Sequence, residues 1–201
     1  MKQLNEAAVS PVVGVMLMLV VTIIIAAVVS AFAGGLNSDQ AKAPQASLGV
    51  TSVIKDIKDT NTANYVSNYP AGFTANNGLL FEHNGGDSFA LKDINIQLQS
   101  EDTKTTIGLG NSINTSATTC LSSDITAYLM EVGTSDGFIT PGDKFMLYAD
   151  NNRIDPIGSQ ISWKPAAAAG GFACYLNTKC EYKIIDKASA KVIQTGTFVL
   201  T

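Results

Sequence analysis

His83 stands between two carboxylates in the run EHNGGD, Glu82 and Asp87, residue types from which an acid–base pair or a metal site can be assembled. The glycines in the run argue for a different use. Gly85 and Gly86 shape a backbone turn, and the polar side chains around them can bond that backbone. His83 is the only histidine, so no second imidazole exists to complete a metal cluster or a further active site. Asp150, Asn151, Asn152 and Asp155 offer oxygen ligands suited to calcium. Their spacing departs from an EF-hand loop, with Ile154 where a ligand is needed and no glycine next. No phosphate-binding glycine loop is found. The expectation is a chain that is not an enzyme and needs no cofactor or metal.

The three cysteines, Cys120, Cys174 and Cys180, lie in the C-terminal half. In CYLNTKC two of them flank an Asn-Thr turn, so in an exported domain Cys174–Cys180 is the economical bridge, leaving Cys120 outside it or competing with it. In a reducing compartment all three remain thiols. Asn114, in NTS, is the one Asn-x-Ser/Thr acceptor and suits glycan attachment on an exported domain; otherwise it is an unmodified loop asparagine.

The elements that must hold these residues read as strands. In DINIQLQ, Ile94, Ile96 and Leu98 alternate with Asn95, Gln97 and Gln99, a period of two that buries one face and wets the other. Gly85-Gly86 supplies positive φ for a tight connection, and Pro141-Gly142 fits the centre of a type II turn. SLGVTSVI, from Ser47, reads as the first strand. Short strands at this spacing indicate a β-sandwich, and no amphipathic helix separates them as a parallel α/β sheet would require.

Ahead of the strands lies a different kind of sequence. From Ala7 to Ser38 there is no charged residue. Val9 to Ala33, as a helix, would be about 37 Å long, enough to cross the hydrocarbon of a bilayer. Its sixteen large apolar side chains are worth about 25–50 kcal/mol when removed from water. AFA at Ala31–Ala33 would suit signal-peptide cleavage, but the apolar stretch is longer than a cleaved one usually is. Thr22, Ala26, Ser30 and Gly34 recur every fourth residue, with Ala27, Ala31 and Gly35 beside them. This face lets another helix backbone approach closely, although small residues are also common in membrane helices generally. Pro11 sits near the start, where a missing N–H is harmless.

The run AVSPVVGVMLMLVVTIIIAAVVSAF, behind the short polar leader MKQLNEA, resembles the N-terminus of archaeal type IV pilins at Val9, Ser10, Pro11, Val12, Gly14 and Val15. LLFEHNGGDSFALKDINIQL, FITPGDKFMLYA and YKIIDKASAKVIQTGTFVL resemble later pilin strands. The leader carries one basic residue, Lys2, offset by Glu6, where family members often carry more positive charge. The resemblance implies that a prepilin peptidase cuts between Ala8 and Val9, that the helix stays on the mature chain, and that assembly machinery moves subunits from the membrane into a helical homopolymer. Helix packing would then run along Gly14, Thr22, Ala26, Ser30 and Gly34. Adhesion at the cell surface is the implied role.

The expected architecture is α+β: a leader over 1–8, a hydrophobic membrane and filament-core α-helix over 9–43, and an extracellular, all-β, immunoglobulin-like sandwich head over 46–201. A net charge of −4 with no basic stripe excludes nucleic acid as a partner. Two rivals share parts of this reading: a single-pass, membrane-anchored binding module that never polymerises, and an enzyme secreted after cleavage at Ala33.

Overall fold

In a computed structural model of the chain, the described residues are 11–35, 42–57, 72–100, 103–113, 120–155, 158–165 and 171–201. The chain divides into two compact units, Met1–Ala41 and Lys42–Thr201.

The described residues of the first unit form the helix α1, Pro11–Gly35. Proline opens it where its missing N–H costs nothing, and the Gly34-Gly35 pair closes it. Every described side chain along it, Val12 to Phe32, is exposed.

The second unit is built from strands: β1 Ala46–Val53, β2 Gly78–Gly86, β3 Phe89–Ala90, β4 Ile94–Ser100, β5 Thr103–Gly108, β6 Leu129–Val132, β7 Phe138–Ile139, β8 Lys144–Tyr148, β9 Asn151–Asp155, β10 Gly158–Trp163, β11 Phe172–Tyr175, β12 Lys179–Asp186 and β13 Val192–Val199. Two four-stranded sheets, ordered β1-β2-β8-β6 and β13-β12-β4-β5, supply the main layers, with a three-stranded sheet β11-β10-β9 and a small β3-β7 pair. The strand pairings within these sheets are antiparallel. This is the α+β, sandwich-like arrangement that the alternation implies.

Period two decides what each strand buries. Ile94, Ile96 and Leu98 of β4 are fully buried, as are Leu79 and Phe81 of β2. Phe81 joins the two layers. It stacks on Phe145 of β8 at 4.9 Å and meets Tyr182 of β12 edge-on at 5.6 Å, contacts worth about 0.5–1.5 kcal/mol each beyond the area they bury. Along the seam between the layers, Gln194 of β13 stands in for a missing ladder. Its side-chain amide accepts from Leu48 N–H and donates to Leu48 C=O, both at 2.7 Å.

The β10 strand departs from alternation. Gln160, Ile161, Ser162 and Trp163 are all buried, because both faces of the strand are covered. Trp163, wholly enclosed, lies 5.9 Å from Phe172 across the β10–β11 pair.

Candidate functional site

The packing positions expected on the helix fall on α1: Gly14, Thr22, Ala26, Ser30 and Gly34. Four residues advance a helix by about 6 Å and turn it about 40° beyond a full circle, so this row winds slowly along the surface as a shallow strip. A Cβ added at Gly14 would meet nothing within 4 Å. Thr22 turns its hydroxyl inward, donating to the Leu19 carbonyl at 2.9 Å, so it presents no unpaired donor to an apolar partner.

Around the strip, large side chains from Val13, at 45% exposed, to Met18, at 72%, stand in the open. The stretch Val12–Phe32 holds no charge and is long and apolar enough to cross a membrane. A helix apolar on every side is at home only in lipid or among other apolar helices. Ala8 and Val9, the expected cleavage junction, lie outside the described residues.

In the head, the carboxylates around His83 do not converge on it. Glu82 pairs with Lys144 at 3.4 Å on the surface. His83 is buried, with Nδ1 accepting from Gly85 N–H at 3.2 Å and Nε2 donating to the Asp87 carbonyl at 3.0 Å. Both ring nitrogens are thus committed to backbone, and the ring lies against Phe89. Gly85 and Gly86 adopt φ of 150° and 106°, the positive values that a tight connection here requires. Gly142, at φ 102°, completes the Pro141-Gly142 turn, which Asp143 N–H closes onto Thr140 C=O at 2.9 Å. Thr140 also holds the Asp143 carboxyl below its usual range, through its hydroxyl and its N–H.

Asp150 is occupied as well. Its carboxylate accepts from the Tyr128 hydroxyl at 2.5 Å and from Lys164 N–H at 3.1 Å. Burial pushes both the Asp150 carboxyl and the Tyr128 phenol above their ordinary values. Among the described residues no cluster of three or more histidine, cysteine or acidic side chains is placed to hold a metal. The Tyr128–Asp150 pair escaped the sequence reading, for lack of any local pattern joining positions 22 residues apart.

Gly133-Thr134-Ser135-Asp136-Gly137 also escaped it. The segment has the Gly-x-Ser-x-Gly spacing of a hydrolase nucleophile, but it connects β6 to β7 rather than a strand to a helix. Its turn is closed by Glu131 and Asp136, whose carboxylates accept from Asp136 N–H and Phe138 N–H, and the only histidine is the structural His83.

Cys174 and Cys180 form a disulfide that ties β11 to β12, with Cα atoms 6.6 Å apart. Asn177, between them, takes the left-handed conformation at φ 60° that asparagine tolerates. Cys120 lies outside the bridge, buried, with its thiol 3.9 Å from the Ala149 carbonyl. Asn114 lies outside the described residues.

No curated protein matches the chain. Residues 7–48, from ahead of α1 to the third residue of β1, match the family model described as archaeal type IV pilin, N-terminal.

Proposed function

We propose that this chain is a structural subunit of an archaeal type IV pilus-like surface filament. The observation that carries the reading is α1: an uncharged helix, exposed on every side, within the segment that matches the pilin N-terminal domain. Before assembly the helix resides in the membrane. A prepilin peptidase removes residues 1–8 at the Ala8–Val9 junction, and the assembly machinery transfers the subunit into a homopolymer. The energetic logic is substitution. Neighbouring helices replace lipid around the same apolar side chains, and the strip of Gly14, Thr22, Ala26, Ser30 and Gly34 lets their backbones approach. The heads then face the surroundings, where the Cys174–Cys180 bridge persists, Asn114 is open to glycan attachment and adhesion is the task. The role is structural and assigns no catalysis to the head.

The test is the N-terminus of the mature chain together with the cell surface. Intact-mass analysis should show loss of about the first eight residues with α1 retained, and electron microscopy should show filaments that disappear when the gene is deleted. A mature chain beginning after Ala33 would refute the proposal. Processed chains that remain in the membrane without filaments would favour the anchored binding module.

A further inference from the structure

The His83–Asp87 turn has no chemical task left to it, and its bonding assigns it a mechanical one. We propose that it is a clasp that takes tension arriving through the chain ahead of β1 and passes it into the core of the head, an inference that rests on the reading of α1 as embedded in a filament.

The polypeptide reaches β1 through Gln45. There the Gln45 N–H donates to Asp87 Oδ2 at 2.9 Å, and the Asp87 N–H donates to the Gln45 carbonyl at 2.7 Å, so one residue is gripped by both of its backbone groups. The first of these bonds ends on a carboxylate, the stronger kind. An exposed carboxylate on a loose loop would hold little. Asp87 is instead anchored inward, because its carbonyl accepts from Nε2 of His83 at 3.0 Å. His83 is 1% exposed, and its ring lies 5.7 Å from that of Phe89. Its own backbone is pinned on both sides, by Asp143 C=O at 2.9 Å and Gly142 N–H at 2.8 Å. The path from Gln45 to the aromatic core therefore takes two side chains, Asp87 and His83. Gly86 makes the close approach possible, since a Cβ there would collide with the Gln45 carbonyl.

A second grip follows three residues on. Gln194 holds both backbone groups of Leu48 and is itself bonded to the Tyr182 hydroxyl at 2.8 Å. Val192 and Ile193 line one surface hollow with Ala46 and Ser47, so the start of β13 lies beside the start of β1. A pull along β1 must slide it past β2 and β13 together, straining these bonds at once instead of peeling them singly.

The experiment pulls single molecules of the full chain in detergent micelles, held through Lys42→Cys and Thr201→Cys. In a control geometry the attachment points are Asp124→Cys and Thr201→Cys, which leave Gln45 unloaded. Asp87→Ala should raise the rupture rate at a set force about tenfold in the first geometry, the effect of one lost bond to a charged acceptor. In the control it should change the rate no more than its thermal melting implies. If Asp87→Ala does not fold, Asp87→Asn, which keeps a side-chain oxygen, is compared in the same way and should show the same asymmetry in smaller degree. An equal change in both geometries would overturn the clasp. Absence of filaments from cells would overturn the filament reading instead, and that result is read independently of the rupture rates.

Discussion

At the scale of single residues, Asp150 gives the head an unusual response to pH. It is 6% exposed, and burial raises its carboxyl above the ordinary carboxylate range, with the Tyr128 hydroxyl and Lys164 N–H opposing that rise. A raised folded-state value means the folded head holds this proton more tightly than the unfolded chain does. Stability from this group is therefore fully present below the unfolded carboxylate value, about pH 4, and is lost as pH rises through the folded one. Asp143 tilts the other way, because its lowered carboxyl supports the fold above the ordinary value and ceases to do so in acid. The clean measurement is a difference: urea unfolding of the wild type and Asp150→Asn across pH 4 to 7. The variant should lose the part of the slope in which stability increases toward acid, and identical slopes would show that burial does not perturb the group. Asp150 was visible in the sequence as an oxygen ligand. Its partner was not, since Tyr128 comes from another part of the chain and is brought close only by the packing of the strands.

Among the elements, α1 was the most legible, because 25 successive residues without charge leave few alternatives. The β4 strand was legible from alternation, and the Gly85-Gly86 and Pro141-Gly142 turns from backbone requirements. The β9-β10-β11 sheet was not. With Gln160 through Trp163 all buried, β10 carries no period of two, and its polar members resemble loop residues. For the helix, the small-residue strip makes a prediction that the large residues do not. Ala26→Leu or Gly34→Leu places bulk where backbones would meet, at a cost of about 1–3 kcal/mol per site. Repeated at each subunit, this should shorten or abolish filaments while membrane insertion survives. Val20→Leu, outside the strip, should be tolerated. Filaments of normal length from the Ala26→Leu and Gly34→Leu cells would show that the strip is incidental, and loss from the membrane fraction would place the defect before assembly.

For the molecule as a whole, the chain divides into Met1–Ala41, which holds the exposed apolar α1, and Lys42–Thr201, which holds the strands. The head buries its own core, in which Phe81, Phe145 and Trp163 are wholly enclosed, and it carries its own disulfide. Expressed from Lys42 onward it should stay in solution and give a β-type circular-dichroism spectrum. Precipitation, or a spectrum without β structure, would show that it depends on α1 for its fold.

The enclosed tryptophan also labels the molecule optically. Trp163 is the only indole in the chain, and α1 contains neither tryptophan nor tyrosine. Ultraviolet-excited emission from the intact protein is therefore dominated by one fluorophore on one strand of the head, sealed from quenchers until β10 separates from β11. Helix content measured in the far ultraviolet tracks α1, the one long helix among the described residues. The two halves of this protein can thus be followed by different colours of light in a single sample, without attaching a dye to either.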